Sequence, residues 1–401
     1  MDKSILKTLT TILFCLTINM TSIAQWTQLT TGTTEWLLSV YFINADTGVA
    51  VGSVGTIIKT TDGGDTWILK TSGTTEMLKS VFFIDNDTGY VVGTNCIVLK
   101  TTDAGTTWTL KTNGMCDVLN SVHFADYANG YAVGGSFSLS GAVMNTTTTG
   151  NSWNLQTTGI MEDFNCIYFP STDTGYAVGQ DGVLRTENAG GFWTNVTPSS
   201  STIYNGTYFT DNNVGYIAGW NGTIQKTTNG GNSWVFQTSG TTSNFHSVFF
   251  ISDNIGYATG TFGTIIKTTN GGVTWTADTS GTAEILYCVH FPLPTTGYIS
   301  GTNGTILKIT LPTGLPDNSA FSNIRIYPNP AGNRTTLEFN NSTREPHTVS
   351  LFDLQGRLIR IITGIMTDRV EIETMDLTSG LYFFQLYNDK QVYTIGKLII
   401  E

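Results

Sequence analysis

Thr60-Thr61-Asp62-Gly63-Gly64-Asp65-Thr66-Trp67 decides the fold, because the stretch recurs. Its tryptophan is one of seven, Trp26, Trp67, Trp108, Trp153, Trp193, Trp234 and Trp275, spaced by 41, 41, 45, 40, 41 and 41 residues. A repeat of that length across most of a chain is the signature of a radially repeated β-structure. Every unit reads alike. A short strand at the Trp leads through a turn such as Thr71-Ser72-Gly73-Thr74 to an apolar strand, Ser80-Val81-Phe82-Phe83. An acidic turn follows, then a Gly-Tyr strand, Thr88-Gly89-Tyr90-Val91-Val92-Gly93. A last strand, as in Gly222-Thr223-Ile224-Gln225-Lys226-Thr227, runs into the next tryptophan.

Four strands per unit make one propeller blade. Val40-Tyr41-Phe42 and Val248-Phe249-Phe250 are apolar on both faces, as required of a sheet covered on both sides. The last unit ends at Ile309-Thr310-Leu311 without a Trp strand, whereas the first begins abruptly at Trp26-Thr27-Gln28-Leu29. The N-terminal strand is therefore expected to complete the last blade and close the ring. The fold expected is all-β, a seven-bladed β-propeller over residues 25–311.

The turn before each Trp resembles an Asp-box, or BNR repeat. Asp62 and Asp103 hold its acidic position, Asn188, Asn229 and Asn270 substitute for it, and Thr148 departs from it before Trp153. An Asp or Asn there bonds the amides of its own turn while the Trp packs between blades, so these residues are read as structural. The spacing and the Gly-Tyr-x-Val-Gly strands resemble the photosystem II assembly/stability factor propellers. That resemblance implies a photosynthetic membrane-protein partner held by a basic patch. The propeller here contains one arginine, Arg185, so the fold carries over and the partner does not.

Residues 1–24 read as a signal peptide: Lys3 and Lys7, an apolar run from Thr10 to Met20, then Ser22-Ile23-Ala24 before Gln25. No other segment has transmembrane length. A linker, 312–321, is punctuated by Pro and Gly, and a different pattern occupies 322–401. Its landmarks, Ile324-Arg325-Ile326-Tyr327-Pro328-Asn329-Pro330, Leu351-Phe352-Asp353 and Leu377-Thr378-Ser379-Gly380-Leu381-Tyr382, are similar to the type A C-terminal sorting domain of the type IX secretion system. The resemblance implies a small Ig-like β-sandwich, a partner in the secretion machinery, and a mature protein that is secreted or on the outer surface after Sec export to the periplasm.

The formal net charge of -11 argues against a nucleic-acid partner. One propeller arginine cannot form the arginine cluster with which a sialidase grips a carboxylate. Asp46, Asp87 and Asp173 recur before Gly and read as turn formers, so no acid/base pair stands out. His123 and His290 fall where other units place Tyr41, Phe82, Tyr168, Tyr208 and Phe249, and read as fillers of an aromatic slot. No metal-ligand spacing is present, and no catalytic residue, metal or cofactor is expected. Cys166 and Cys288 occupy a position held elsewhere by Ser and are expected as buried thiols. Cys96 and Cys116 fall in loops of one face, where either a disulfide or two free thiols would fit.

Positions that vary within the constant frame are candidates for recognition. One series reads Leu38, Lys79, Asn120, Asn165, Asn205, His246 and Tyr287, on the strand nearest the axis. Three residues earlier stand Glu35, Glu76, Asp117, Glu162, Thr202, Ser243 and Glu284, a mostly acidic ring at the channel mouth. The four extra residues of the 45-residue unit, near Gly135–Ser140, are expected on the same face. The function expected is non-catalytic recognition or adhesion at the cell surface, binding a protein or glycan around the central channel. The alternative is a carbohydrate-active enzyme, hydrolase or lyase, other than a sialidase.

Overall fold

The computed structural model describes residues 25–311 except 112–115, 136–140, 157–162, 181 and 199–201, and residues 325–400 except 342–343, 354–356 and 389–391. The leader, the linker, Glu162 and most of the extra loop therefore lie outside the described residues.

Among the described residues, seven four-stranded antiparallel sheets follow one another between Thr27 and Thr310. In the first six, strand order equals chain order. The seventh takes its outer strand from the N-terminus: Thr27, Gln28 and Leu29 pair with Lys308, Leu307 and Ile306. Trp26 is buried there, edge-on to Tyr257 and Phe291 with ring centroids 5.9 and 6.1 Å apart. The inner strands touch in sequence, and Leu37–Phe42 meets Leu286–Leu293, so the circle is closed. The blades are numbered 1 to 7 from Leu37–Phe42.

The core lies between blades. Inner-strand Val40, Phe42 and Leu37 are buried with Tyr298 and Ile306 of blade 7, and this cluster repeats around the ring. Phe42 stacks on Tyr298 at 3.5 Å and meets Trp67 edge-on at 5.9 Å. Phe209 does the same with Tyr176 and Trp234 at 3.8 and 6.1 Å. This triad explains the period: one Phe, one Trp and the preceding blade's Tyr fill each wedge. Blade 2 departs, because Val49 stands where the others have Tyr.

Residues 325–400 form a second unit of two sheets. One contains Arg325–Tyr327, Arg334–Glu338 and Arg369–Glu373; the other contains Leu358–Ile365, His347–Phe352, Gly380–Tyr387 and Val392–Ile400. Leu337 and Ile372 of the first share a buried core with Val349, Leu351, Phe384 and Leu386 of the second. That is a small β-sandwich.

Candidate functional site

Each inner strand carries a β-bulge near its start. Pairing with the next strand slips between Leu37 and Ser39, Leu78 and Ser80, Leu119 and Ser121, Phe164 and Cys166, Tyr204 and Gly206, Phe245 and Ser247, and Leu286 and Cys288. The skipped residues are Leu38, Lys79, Asn120, Asn165, Asn205, His246 and Tyr287, the varied series. A bulge re-aims a side chain out of the strict alternation of a strand. All seven are half-buried.

Several of these side chains reach around the ring. Lys79 Nζ donates to Asn120 Oδ1 at 2.8 Å, and Asn165 Nδ2 donates to Asn205 Oδ1 at 3.1 Å. Asn120, Asn165 and Asn205 each donate to the next blade's backbone, at Phe164 O, Tyr204 O and Phe245 O, at 2.8, 3.0 and 2.8 Å. The same residue type in three neighbouring blades thus makes one structural clasp. His246 is different. Its ring lies 5.1 Å from that of Tyr287, and its buried Nε2 has no partner among the described residues. Burial pushes its pKa down to about 4.

One layer along the inner strands, seven rings form an unbroken circle. Tyr41, Phe82, His123, Tyr168, Tyr208, Phe249 and His290 meet at centroid distances of 5.5, 4.7, 4.9, 5.0, 4.9 and 5.7 Å, and His290 returns to Tyr41 at 4.5 Å. His123 and His290 do occupy the aromatic slot, and burial holds both near a pKa of about 3. Between these layers Ser39, Ser80, Ser121 and Ser247 each accept a backbone N–H from the next blade, at 3.2, 3.3, 3.2 and 3.3 Å. Cys166 and Cys288 are free thiols in the same layer, and burial pushes both above the ordinary thiol value.

The acidic series lies on the face where loops enter the inner strands. Its carboxylates are clamped within their own blades: Glu35 Oε2 accepts from Ser53 Oγ at 2.7 Å and Glu76 Oε2 from Thr94 Oγ1 at 2.6 Å. Glu284 accepts from the Thr302 hydroxyl and, at 2.8 Å, from Asn303 Nδ2, and those bonds hold its carboxyl below the usual range. The backbone carbonyls of Glu35, Glu76, Asp117, Ser243 and Glu284 accept from the preceding blade's turn at Gly304, Gly55, Asn95, Gly222 and Gly263. The ring of charge is therefore also a ring of blade-to-blade ties.

Those turns hold what sequence reasoning missed. Their central residue has positive φ: Asn95 56°, Asn221 54° and Asn303 52°, but also Val54 54° and Phe262 58°. Asn tolerates the left-handed region; a β-branched or aromatic residue there is strained, by roughly 1–2 kcal/mol. Val54 and Phe262 are nonetheless 61% and 81% exposed. Trp36 and Trp220, on the same face, are 46% and 43% exposed. The sequence does signal this: Val and Phe depart from the Asn that three equivalent turns carry.

Cys96 follows Asn95 where other turns have Gly. A Cβ on Gly55 or Gly263 would sit 2.0 or 1.9 Å from the next blade's loop carbonyl at Thr74 or Thr282. In blade 2 that direction is used covalently, because Cys96 is disulfide-bonded to Cys116 in the following loop, with Cα atoms 5.1 Å apart.

The opposite face carries the Asp-boxes. Asp62 accepts from the Thr66 hydroxyl and amide at 2.6 and 2.9 Å and from the Thr60 hydroxyl at 2.7 Å. Those bonds, the Thr66 hydroxyl foremost, hold its pKa near about 2. Asn188, Asn229 and Asn270 accept from the amides of Phe192, Ser233 and Thr274 in the same way, at 2.9, 3.0 and 2.9 Å. Asp46, Asp87 and Asp173 work differently from expectation: their backbone carbonyls take the amides of Gly63, Ala104 and Ala189. The turn-forming side chains stand two residues earlier, at Asn44, Asp85 and Ser171. Among the described residues, no group of His, Cys, Asp or Glu is placed to hold a metal ion.

Comparison with known proteins agrees with this architecture. Residues 18–114 match the family model of the photosynthesis system II assembly factor YCF48, and residues 325–401 match that of the secretion system C-terminal sorting domain. The second match marks the chain for export by the type IX secretion system, to the cell surface or the medium. No helix among the described residues is long and apolar enough to cross a membrane. Among solved structures, "YCF48 bound to D1 peptide" is 21% identical, with a TM-score of 0.62 over 73% of this chain and 96% of that one. YCF48 from Cyanidioschyzon merolae is 20% identical, at 0.60 over 72% and 99%. The GH74 xyloglucanase from Xanthomonas campestris is 12% identical, at 0.58 over 80% and 60%. At these identities the likeness is one of fold. No curated protein matches the chain.

Proposed function

We propose that this is an exported, non-catalytic recognition propeller that binds a protein or glycan partner through the face where loops enter the inner strands. The observation that carries the reading is the contrast between the two faces. On the Asp-box face the motif's polar side chains are spent on their own turns, and Tyr90, Tyr176, Tyr216 and Tyr298 donate to the next blade's box at 2.5, 3.0, 2.8 and 2.8 Å. The entry face repeats its backbone ties but varies its side chains. It exposes Trp36, Val54, Trp220 and Phe262, with Glu35 directly before Trp36 and the turns of Val54 and Phe262 tied to Glu76 and Glu284. The Asp-box turns also expose Phe192 and Val273, but of these exposed side chains only Val54 and Phe262 are held at positive φ, and exposed apolar residues kept in strained backbone mark an interaction surface.

The xyloglucanase likeness supports only the scaffold. The test is a screen of the mature protein, residues 25–401, on peptide and glycan arrays, with released sugars assayed in parallel. Saturable binding without turnover supports the proposal. Release of product from a bound glycan would replace it with the carbohydrate-active reading.

A further inference from the structure

Residues 25–311 hold nine Lys and Arg against nineteen Asp and Glu. Much of that positive charge is already engaged away from the entry face. Lys100, Lys226 and Lys308 donate to carbonyls of the Asp-box turns at Thr149, Gly271 and Gly63, and Arg185 to that at Gly230. Lys59 Nζ donates to Thr106 Oγ1 in the next blade's box.

On the entry face the strained apolar tips and the carboxylates come in pairs. Gly55, next to Val54, donates its amide to Glu76 O at 2.9 Å; Gly263, next to Phe262, donates to Glu284 O at 2.7 Å. Each pair joins a tip of one blade to the acidic residue entering the next. Between them Gly304, next to Asn303, is tied to Glu35 O at 2.8 Å, and Trp36 follows directly. Blades 6, 7, 1 and 2 thus present one arc: Phe262, Glu284, Glu35, Trp36, Val54, Glu76. Glu35 and Glu76 each use one carboxylate oxygen on a hydroxyl of their own blade, which fixes the group and leaves the other oxygen to accept.

We infer that this arc is a docking strip for an extended, cationic peptide segment of a partner protein, in which aliphatic residues alternate with Lys or Arg. This rests on the binding-face reading above. Charge complementarity selects the class. Acceptors held in place with one oxygen unused suit ammonium and guanidinium donors, and exposed rings beside them suit the apolar residues or stack on the cations. A neutral glycan is the less suited ligand: it needs amide and hydroxyl groups free to bond both ways, whereas Asn303 and the Ser53, Thr94 and Thr302 hydroxyls donate to the carboxylates.

The experiment uses the mature chain, residues 25–401, at 0.15 M salt. The probes are a fluorescent decapeptide alternating lysine with leucine, its glutamate–leucine counterpart, and a neutral xyloglucan heptasaccharide. Val54→Asn with Phe262→Asn installs the residue that equivalent turns already carry, so the fold is kept. Phe192→Ser does the same for an exposed side chain on the Asp-box face. The strip predicts saturable binding of the cationic peptide only, weakened about tenfold or more by the double substitution and unchanged by Phe192→Ser. Glu35→Gln with Glu76→Gln lowers the affinity and flattens its salt dependence. Equal binding of the anionic peptide, no saturable binding of the cationic one, or an unchanged affinity in the double variant overturns the strip. Binding of the heptasaccharide alone through Val54 and Phe262 overturns the peptide assignment and leaves the binding face standing. Binding lost on Phe192→Ser instead overturns both.

Discussion

The hydroxyl of Tyr298, in the last blade, donates to the carbonyl oxygen of Gly63, in the Asp-box of the first, at 2.8 Å. Lys308 Nζ donates to the same oxygen at 2.7 Å. This joint explains why Asp-box and Gly-Tyr strand share one period: each exists to meet the other across a blade boundary. Tyr298→Phe keeps the ring stacked on Phe42 and removes the bond. It is expected to lower propeller stability by about 1 kcal/mol, against roughly 3–5 kcal/mol for Tyr298→Ala. All nine tryptophans lie between Trp26 and Trp275, so tryptophan fluorescence during urea unfolding reads the propeller alone. Equal losses in the two variants would deny the bond its separate role.

Closure by the N-terminal strand makes a second prediction. Trp26 is buried between Tyr257 and Phe291, and its Nε1 donates to Asp278 Oδ2 at 3.2 Å. Trp26→Ala should cost about 3–5 kcal/mol and expose the edge of the last blade to aggregation. Tryptophan-monitored unfolding and light scattering measure the two effects. A loss under about 1 kcal/mol would mean that the strand is not a closure.

The architecture was legible in the sequence because it is periodic. The Trp spacing, the Gly-Tyr strands and the missing strand of the last unit each reported a contact repeated around the ring. Sites were less legible, because a bulge is a fact of register: nothing in Leu37-Leu38-Ser39 announces that Leu38 is skipped in pairing. The Asn series looked free to bind ligand, yet Asn120, Asn165 and Asn205 bond the next blade's carbonyls, which becomes visible only once inner strands lie side by side. Asp46, likewise, serves through its backbone, a role that residue type does not encode. Val54 and Phe262 were readable as departures from Asn, but only the backbone angle gives those departures an energetic meaning.

Relief of that strain should be measurable on its own. Val54→Asn and Phe262→Asn are each expected to raise propeller stability, by up to about 1 kcal/mol, while removing exposed apolar surface. A stabilising substitution at a binding residue is the trade-off expected where strain is kept for function. If both substitutions destabilise, the two side chains serve the fold.

Acid sensitivity follows from the buried histidines of the inner strands. His123 and His290 are held near about 3 and His246 near about 4, below the ordinary value of 6.5, in each case by burial. A depressed histidine binds its proton more readily unfolded, so its contribution is complete above pH 6.5. It is lost as pH falls from 6.5 toward the folded values, by about 1.4 kcal/mol per unit for each group. His123→Phe, which installs the residue of the Phe82 and Phe249 positions, should flatten thermal stability between pH 6.5 and 4. An unchanged pH profile would place His123 outside the buried circle.

Cys96 and Cys116 give a chemical check. Residues 25–401, denatured without reductant, should titrate two thiols, Cys166 and Cys288, and four after reduction. Cys96→Ser should cost about 3 kcal/mol, the scale for closing a short loop. Four thiols before reduction would leave the entry face of blade 2 untethered.

Recognition is proposed to belong to the entry face and not to the Asp-boxes. Peptide and glycan arrays probed with the wild type, with Val54→Asn/Phe262→Asn and with Phe192→Ser test it most directly. Signal is expected on wild type and on Phe192→Ser, with loss on the double variant. Signal that survives the double substitution but disappears with Phe192→Ser would contradict it.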